Sequence, residues 1–383
     1  MNKLISKITA VVTLSFIFLF GLLTFLGSKK EYSVDENRHL EGLHEISAEE
    51  MYDGSTSRQL EKYMADHFWG RSRWMIAKAA MQTELSESIV NGVYVSSERL
   101  LTADPGYTEA GNVSSDADII NSFSKEYDGM VYFAAVPTSA GIYGDIIPSH
   151  YVRKTESQRI TELYDMFGND IRRIDTYNIL KMLKDSYIYY RNDTKWTVYG
   201  AYCVYKTVIQ KLGFQPTSYD KFNIEHVTNE FRGNLYNRTL SKRPQADIMD
   251  IFYYPDGAGI VSCSCILEDG SVAEGSIYNR DMLKTGDMYS MYLGKPVPVM
   301  KIRTSAKNDM KLLVVRDSFA DCFIPFLTQH YSEITVISPL EMEGDISDYI
   351  NVGEYGQTLF LFGIDSLGGE ADPVSKFGEL YFS

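Results

Sequence analysis

Lys311-Leu312-Leu313-Val314-Val315 runs directly into Arg316-Asp317-Ser318-Phe319, and this junction decides the fold. An aliphatic run without polar alternation reads as a strand buried on both faces, the kind a parallel sheet requires. A carboxylate and a hydroxyl follow at once, as where a strand turns into a helix N-terminus. Helix is predicted from there through His330, and a further strand at Ile334 to Ile337. Working outward, the same unit recurs. Met130 to Val136 (MVYFAAV) is a near-continuous apolar run ended by Pro137-Thr138-Ser139, and Thr358 to Phe362 is a last one. Residues 117–127, 156–167 and 197–212 carry helical patterns, the last stopped by Gly213. Strands alternating with helices predict an α/β fold with a mostly parallel sheet and helices on both faces. Residues 230–300, richer in Tyr, Gly and short alternations, predict added antiparallel strands or long loops.

The N-terminus differs from the rest. Ile8 to Gly27 carries no charge, and twenty such residues make a helix of roughly 30 Å, the thickness of a hydrocarbon core. Lys3 and Lys7 precede it and Lys29-Lys30 follow, with no small-x-small cleavage site and no cysteine for lipid attachment after the run. This predicts an uncleaved single-pass anchor in the cell membrane, N-terminus inside, with the remaining chain extracytoplasmic. The expected division is an anchor over 1–30, a stalk and N-terminal helical region over 31–100, and an α/β domain over 101–383. Within the second part a helical pattern begins at Ala48 and breaks near Asp53-Gly54-Ser55. Asn91-Gly92-Val93-Tyr94 then opens a hairpin ending at Leu100-Leu101.

Composition narrows the classes. The 383 residues include 37 Lys or Arg and 51 Asp or Glu, a net charge of −14. That balance argues against a surface built to grip nucleic acid. With 44% hydrophobic residues the chain is too apolar for disorder. Cys203, Cys263, Cys265 and Cys322 are too few for a disulfide scaffold and lack C-x-x-C spacing. No Walker, G-x-G-x-x-G or H-E-x-x-H motif occurs, so no cofactor and no metal are predicted.

Open α/β sheets bind ligands beyond the carboxyl ends of their strands. That points to Pro137-Thr138-Ser139 and to Asp317-Ser318. Ser318 is the candidate nucleophile, because a helix N-terminus there would present backbone N–H groups to an oxyanion. The alternative is a serine that merely caps the helix. A serine nucleophile also needs a base and a carboxylate to orient it.

Tyr190-Arg191-Asn192-Asp193-Thr194-Lys195-Trp196-Thr197-Val198-Tyr199-Gly200-Ala201-Tyr202 resembles the signature of the DHHW family, relatives of the alginate O-acetylation proteins among SGNH-hydrolase-like proteins. That family reads R-x-D-x-H-W-T-x-x-G-A-Y here. Further resembling blocks run in family order: Asn37-Arg38, Asp66-His67-Phe68-Trp69-Gly70-Arg71, Asn91 to Tyr94, Val136-Pro137-Thr138, Phe231-x-Gly233-Asn234-Leu235-Tyr236, and Leu312 to Phe319. The resemblance implies a three-layer α/β/α SGNH-like fold and O-acetylation chemistry on a cell-envelope polysaccharide or exopolysaccharide. A multi-spanning membrane acyltransferase is the implied partner. It makes Ser318 the nucleophile, Asp193 the orienting acid and Lys195 the occupant of the histidine position. Gly233, Asn234 and Gly294 (in Leu293-Gly294-Lys295-Pro296) become substrate-binding candidates. Trp196 either stacks on a sugar or is a core tryptophan holding the loop.

Lys195 is the departure that matters. An ammonium titrating at about 10.4 cannot relay a proton as an imidazole does, and a neighbouring carboxylate raises that value further. Three outcomes stay open: a serine–lysine pair, a histidine such as His226 or His330 entering from elsewhere, or a catalytically inactive glycan-binding or accessory protein on the same fold. A structural envelope protein unrelated to acyl chemistry would be favoured if Asp193 and Ser318 lay far apart.

Overall fold

The computed structural model describes residues 2–27, 30–42, 55–84, 88–103, 113–148 and 155–382. Residues 48–54, where the helical pattern was expected to begin and break, lie outside these, as do His44 and His150. A helix over Asn2–Leu26 comes first. Its Leu4–Leu26 portion is, among the described residues, the one stretch of helix long and apolar enough to cross a membrane. A short hairpin follows, β1 (Tyr32–Ser33) and β2 (Arg38–His39), then helices Ser55–Asp66 and Arg71–Glu84. β3 (Ile89–Val90), β4 (Val93–Val95) and β5 (Leu100–Thr102) form a small antiparallel sheet. Its first turn holds Asn91 and Gly92 at φ 49° and 73°, the left-handed pair that suits a two-residue hairpin loop.

The remaining strands are β6 (Met130–Val136), β7 (Ile171–Arg173), β8 (Asn223–Phe231), β9 (Asp247–Tyr253), β10 (Ile260–Ile266) and β11 (Val272–Glu274). They continue with β12 (Val299–Thr304), β13 (Lys311–Arg316), β14 (Glu333–Ile337) and β15 (Gln357–Gly363). An eight-stranded sheet runs in the order β11-β10-β12-β14-β13-β15-β6-β7. From β14 to β7 every pairing is parallel, whereas β12, β10 and β11 extend the sheet antiparallel. β8 and β9 pair separately. This is the predicted mixed α/β architecture with a large, mostly parallel sheet, and the Tyr-rich stretch supplies the antiparallel strands.

The apolar runs have a direct cause in the layering. Tyr132, Ala134, Val136, Leu312, Val314, Leu359 and Leu361 face a cluster shared with Ala201, Val204 and Val208 of helix Val198–Lys211. Val131, Phe133, Leu313, Val315, Phe360 and Phe362 face the opposite cluster. Helices Val113–Glu126, Glu156–Met166 and Pro373–Tyr381 cover that side. Both faces are dry, so no polar alternation survives in the strands.

One expected element is different. The helix predicted from Ser318 through His330 is a single 3₁₀ turn, Ser318–Ala320, followed by a short α-helix, Ile324–Leu327. Pro325 lacks a backbone N–H and its ring crowds the preceding turn, so a continuous helix through it is disfavoured and the chain restarts at Ile324.

Candidate active cleft

The loop that carries Asp193 and Lys195 is closed by an isolated antiparallel bridge between Tyr189 and Trp196. Asp247, fully buried at the start of β9, organises it from behind. Its carboxylate accepts from the backbone N–H groups of Arg191 (2.8 Å) and Asn192 (2.9 Å), the Asn192 amide (2.8 Å) and the Tyr187 hydroxyl (2.6 Å). From the other side, the corner after β6 grips the same loop. The Ser139 N–H donates to the Thr194 carbonyl (2.9 Å) and its hydroxyl to the Asp193 carbonyl (3.1 Å).

Asp193 therefore projects from a fixed turn. Oδ1 accepts the Lys195 backbone N–H (3.0 Å) and Oδ2 accepts the Asn234 N–H (2.8 Å). A Cβ at Gly233 would lie 1.9 Å from Asp193 Oδ2, so only glycine allows this approach. Gly233 and Asn234 thus hold the acid in place as well as lining the cleft.

Trp196 takes the second of its two expected roles. It is fully buried, its indole N–H donates to the Phe319 carbonyl (2.8 Å), and its ring stacks on Phe323. An indole spent in this way holds the loop and has no face for a sugar. Gly294 is a correction: it sits at φ 82° with open space around it and does not line the cleft, although Pro296 two residues on does. The left-handed turn is what requires glycine there.

Ser318 follows the carboxyl end of β13. The residue that caps the turn is Asp317, not Ser318: Asp317 Oδ1 accepts the Phe319 N–H (2.8 Å), and Oδ2 accepts the Gly363 N–H and the Ser366 hydroxyl, both at 2.8 Å. The structure brings Ser318, Asp193 and Lys195 onto one cleft of about 240 Å³, together with Asp321, Asp287 and Tyr289. A larger apolar groove of about 870 Å³ lies elsewhere, between the first helix and helices Ser55–Asp66 and Arg71–Glu84.

The electrostatics centre on Lys195. Its Nζ is 3.7 Å from Asp193 Oδ1 and 4.9 Å from the centre of the Tyr289 ring. Burial draws the lysine pKa down, but Asp193, Asp365, Asp317 and Asp321 together outweigh it and hold the group above the ordinary lysine value. Asp321 pairs with Arg316 Nη1 at 2.8 Å, yet burial pushes its carboxyl up to about 7. Asp365 is raised by desolvation and then by Asp317.

No histidine lines the cleft among the described residues. His330 is buried against the Tyr205 hydroxyl (2.6 Å), with its pKa lowered to about 4 by burial. His226 pairs with Asp250 on the exposed face of β8. Neither enters the site, so, contrary to one expectation, neither His226 nor His330 supplies a base there. His67 meets the Glu41 carbonyl, and His39 packs on Tyr32.

Sequence reasoning gave no role to Asp317, Asp321 or Asp247. The first stood in the Arg-Asp-Ser triplet, at the strand end where ligands gather, and was passed over for its neighbour. Asp247 carried only the faint signal of a carboxylate opening an apolar strand.

Residues 93–337 match the family described as DHHW protein, and the chain belongs to that family. The crystal structure of a DHHW family protein from Eubacterium siraeum is similar over 75% of this chain and 96% of its own, with a TM-score of 0.64 at 21% identity. Bacillus cereus PatB1, solved with a sulfonyl adduct, is similar over 76% of this chain and 98% of its own, with a TM-score of 0.62 at 19% identity. The O-acetyltransferase domain of Pseudomonas putida AlgJ is more remote, with a TM-score of 0.45 at 11% identity over 75% of this chain and 99% of its own. No curated protein matches the chain at a significant level.

Proposed function

We propose that this DHHW protein is a membrane-anchored, extracytoplasmic component of polysaccharide O-acetylation, on an SGNH-like scaffold, whose cleft binds a glycan without Ser-His-Asp turnover. One observation carries the reading: Lys195, at the family's histidine position, is held as an ammonium by Asp193 and the surrounding carboxylates. An ammonium donates hydrogen bonds and accepts none. Lys195 therefore cannot serve, as the family's imidazole would, to take the Ser318 proton during attack on an acyl carbonyl. What the cleft does offer is a set of hydroxyl partners: ammonium donors on Lys195, carboxylate acceptors on Asp193 and Asp287, the Asn234 amide, and the Tyr289 ring. Such a mixture suits a sugar. The anchor reading rests on the uncharged run Ile8 to Gly27 and its flanking lysines.

Hydrolysis of p-nitrophenyl acetate by the full chain tests the reading. Wild type and Ser318→Ala are expected to give the same background rate. Lys195→His is expected to gain turnover that Ser318→Ala abolishes. Ser318-dependent turnover in the wild type would sink the non-catalytic reading and establish an active serine site.

A further inference from the structure

The hairpin that follows the first helix reaches into the cleft. Asn37, in its turn at φ 49°, lines the cleft beside Asp193, Gly233 and Ser318. The Tyr32 hydroxyl bonds Asn37 Oδ1, fixing that side chain. The opposing wall has a matching gap. A Cβ on Gly286 would lie 2.6 Å from the Val34 carbonyl and 3.3 Å from Asn37 Oδ1, so glycine there lets the hairpin seat against the Asp287–Ser290 segment.

The same hairpin is bolted to the helices beside the anchor. Arg38 donates through Nη1 to Asp66 Oδ2 (2.9 Å), and the Glu41 N–H donates to the same oxygen (2.9 Å). Arg71 pairs bidentately with Glu36, with Nη2 to Oε1 at 3.1 Å. The Asp66, Glu36 and Arg71 side chains are only 9%, 10% and 20% exposed, against 41% for Arg38, so the two carboxylates are better sheltered from screening than the Arg38 guanidinium. Past it, Phe20 stacks on Phe68 (centroids 5.6 Å apart), and the Trp69 N–H donates to Thr24 Oγ1 (3.1 Å). The two N-terminal sequence blocks, Asn37-Arg38 and Asp66 to Arg71, are thus the two halves of one joint.

We infer that this hairpin is a wall of the binding cleft that ties the cleft to the bilayer, so that the site takes a ligand presented at the membrane surface. From Leu26 to Tyr32 the chain can span no more than roughly 20 Å. The ligand class that fits is a glycan still tethered at the bilayer. That identity rests on the function proposed above; the coupling of cleft to membrane rests on the reading of the first helix as bilayer-spanning.

Two measurements on the full chain in lipid nanodiscs test the coupling without any acyl chemistry. First, Ser318→Cys is modified with N-ethylmaleimide, and the modification of the matching chain that retains Ser318 is subtracted. Adding Asn37→Ala, Tyr32→Phe or Gly286→Ala is expected to raise the rate at least threefold, and unchanged rates in all three would overturn the hairpin's role as a wall. Should Gly286→Ala misfold, the other two suffice. Second, a donor dye on Asn237→Cys, at the cleft, is compared with one on Glu354→Cys, before β15 at the far end of the sheet. Energy transfer to headgroup-labelled lipid is expected to be at least twofold stronger from Asn237→Cys. Equal or reversed transfer would overturn the membrane-proximal placement, whatever the esterase assay returns.

Discussion

Asp193 holds Lys195 twice, accepting its backbone N–H at 3.0 Å and facing its ammonium at 3.7 Å through the same oxygen, Oδ1. The backbone bond orients the loop, and the ion pair neutralises a carboxylate that is almost wholly out of water. Removing one partner of such a pair leaves the other buried and uncompensated. Lys195→Ala is therefore expected to lower unfolding stability by about 3 kcal/mol, read from urea denaturation. Lys195→Arg, which keeps the charge, should lose less than half as much.

Gly233→Ala is expected to displace Asp193, since the added methyl would overlap its carboxylate. The loss should be on the order of 2 kcal/mol, in the range of other strained small-to-large changes. Thermal unfolding checks the stability, and a changed modification rate at Ser318→Cys in the same chain reports the moved acid.

Asp247→Asn keeps the volume of a fully buried carboxylate but turns one acceptor into a donor that faces N–H groups. An expected cost of about 2 kcal/mol should come with loss of near-ultraviolet dichroism from Tyr187, Tyr189 and Tyr190. Asp247→Ala should cost more, because it leaves the two backbone N–H groups unpaired.

The pH dependence has a definite sign. Burial pushes the Glu156 carboxyl up to about 7 from 4.5 and that of Asp321 up to about 7 from 3.8. Between these limits the folded chain binds more protons than the unfolded one, so their contribution is full below about 4 and is lost as pH rises through 7. Asp66 runs the other way. Its hydrogen bond from Arg38 lowers it to about 2, giving stability that is present above 3.8 and lost as pH falls through 2. The melting temperature is expected to be several degrees higher at pH 5 than at pH 8 and to fall steeply below pH 3. Glu156→Gln should flatten the upper slope.

Much of the fold was legible because dry strands leave a plain record. MVYFAAV was read as Met130 to Val136 and forms β6 with those bounds, since six of its seven residues are buried. Asn91-Gly92 announced its hairpin through the one backbone region that suits both residues. The overlong helix after Ser318 came from weighing periodicity over Pro325. In the site, Ser318, Asp193 and Lys195 were legible as a motif, whereas their surroundings were not. Asp247 acts on Asn192 across 55 positions of chain, and Asp365 reaches Lys195 from the end of the last strand. No local pattern encodes those meetings; only the strand order creates them.

The indole bond from Trp196 to the Phe319 carbonyl spans 123 positions of sequence and joins the residue next to Lys195 with the residue next to Ser318. It ties the neighbours of Lys195 and Ser318 together without using the side chain at position 195. A lineage could therefore exchange an imidazole for an ammonium, or reverse the exchange, with this bond kept. On the function proposed above, loss and recovery of chemistry would then be separated by one side chain.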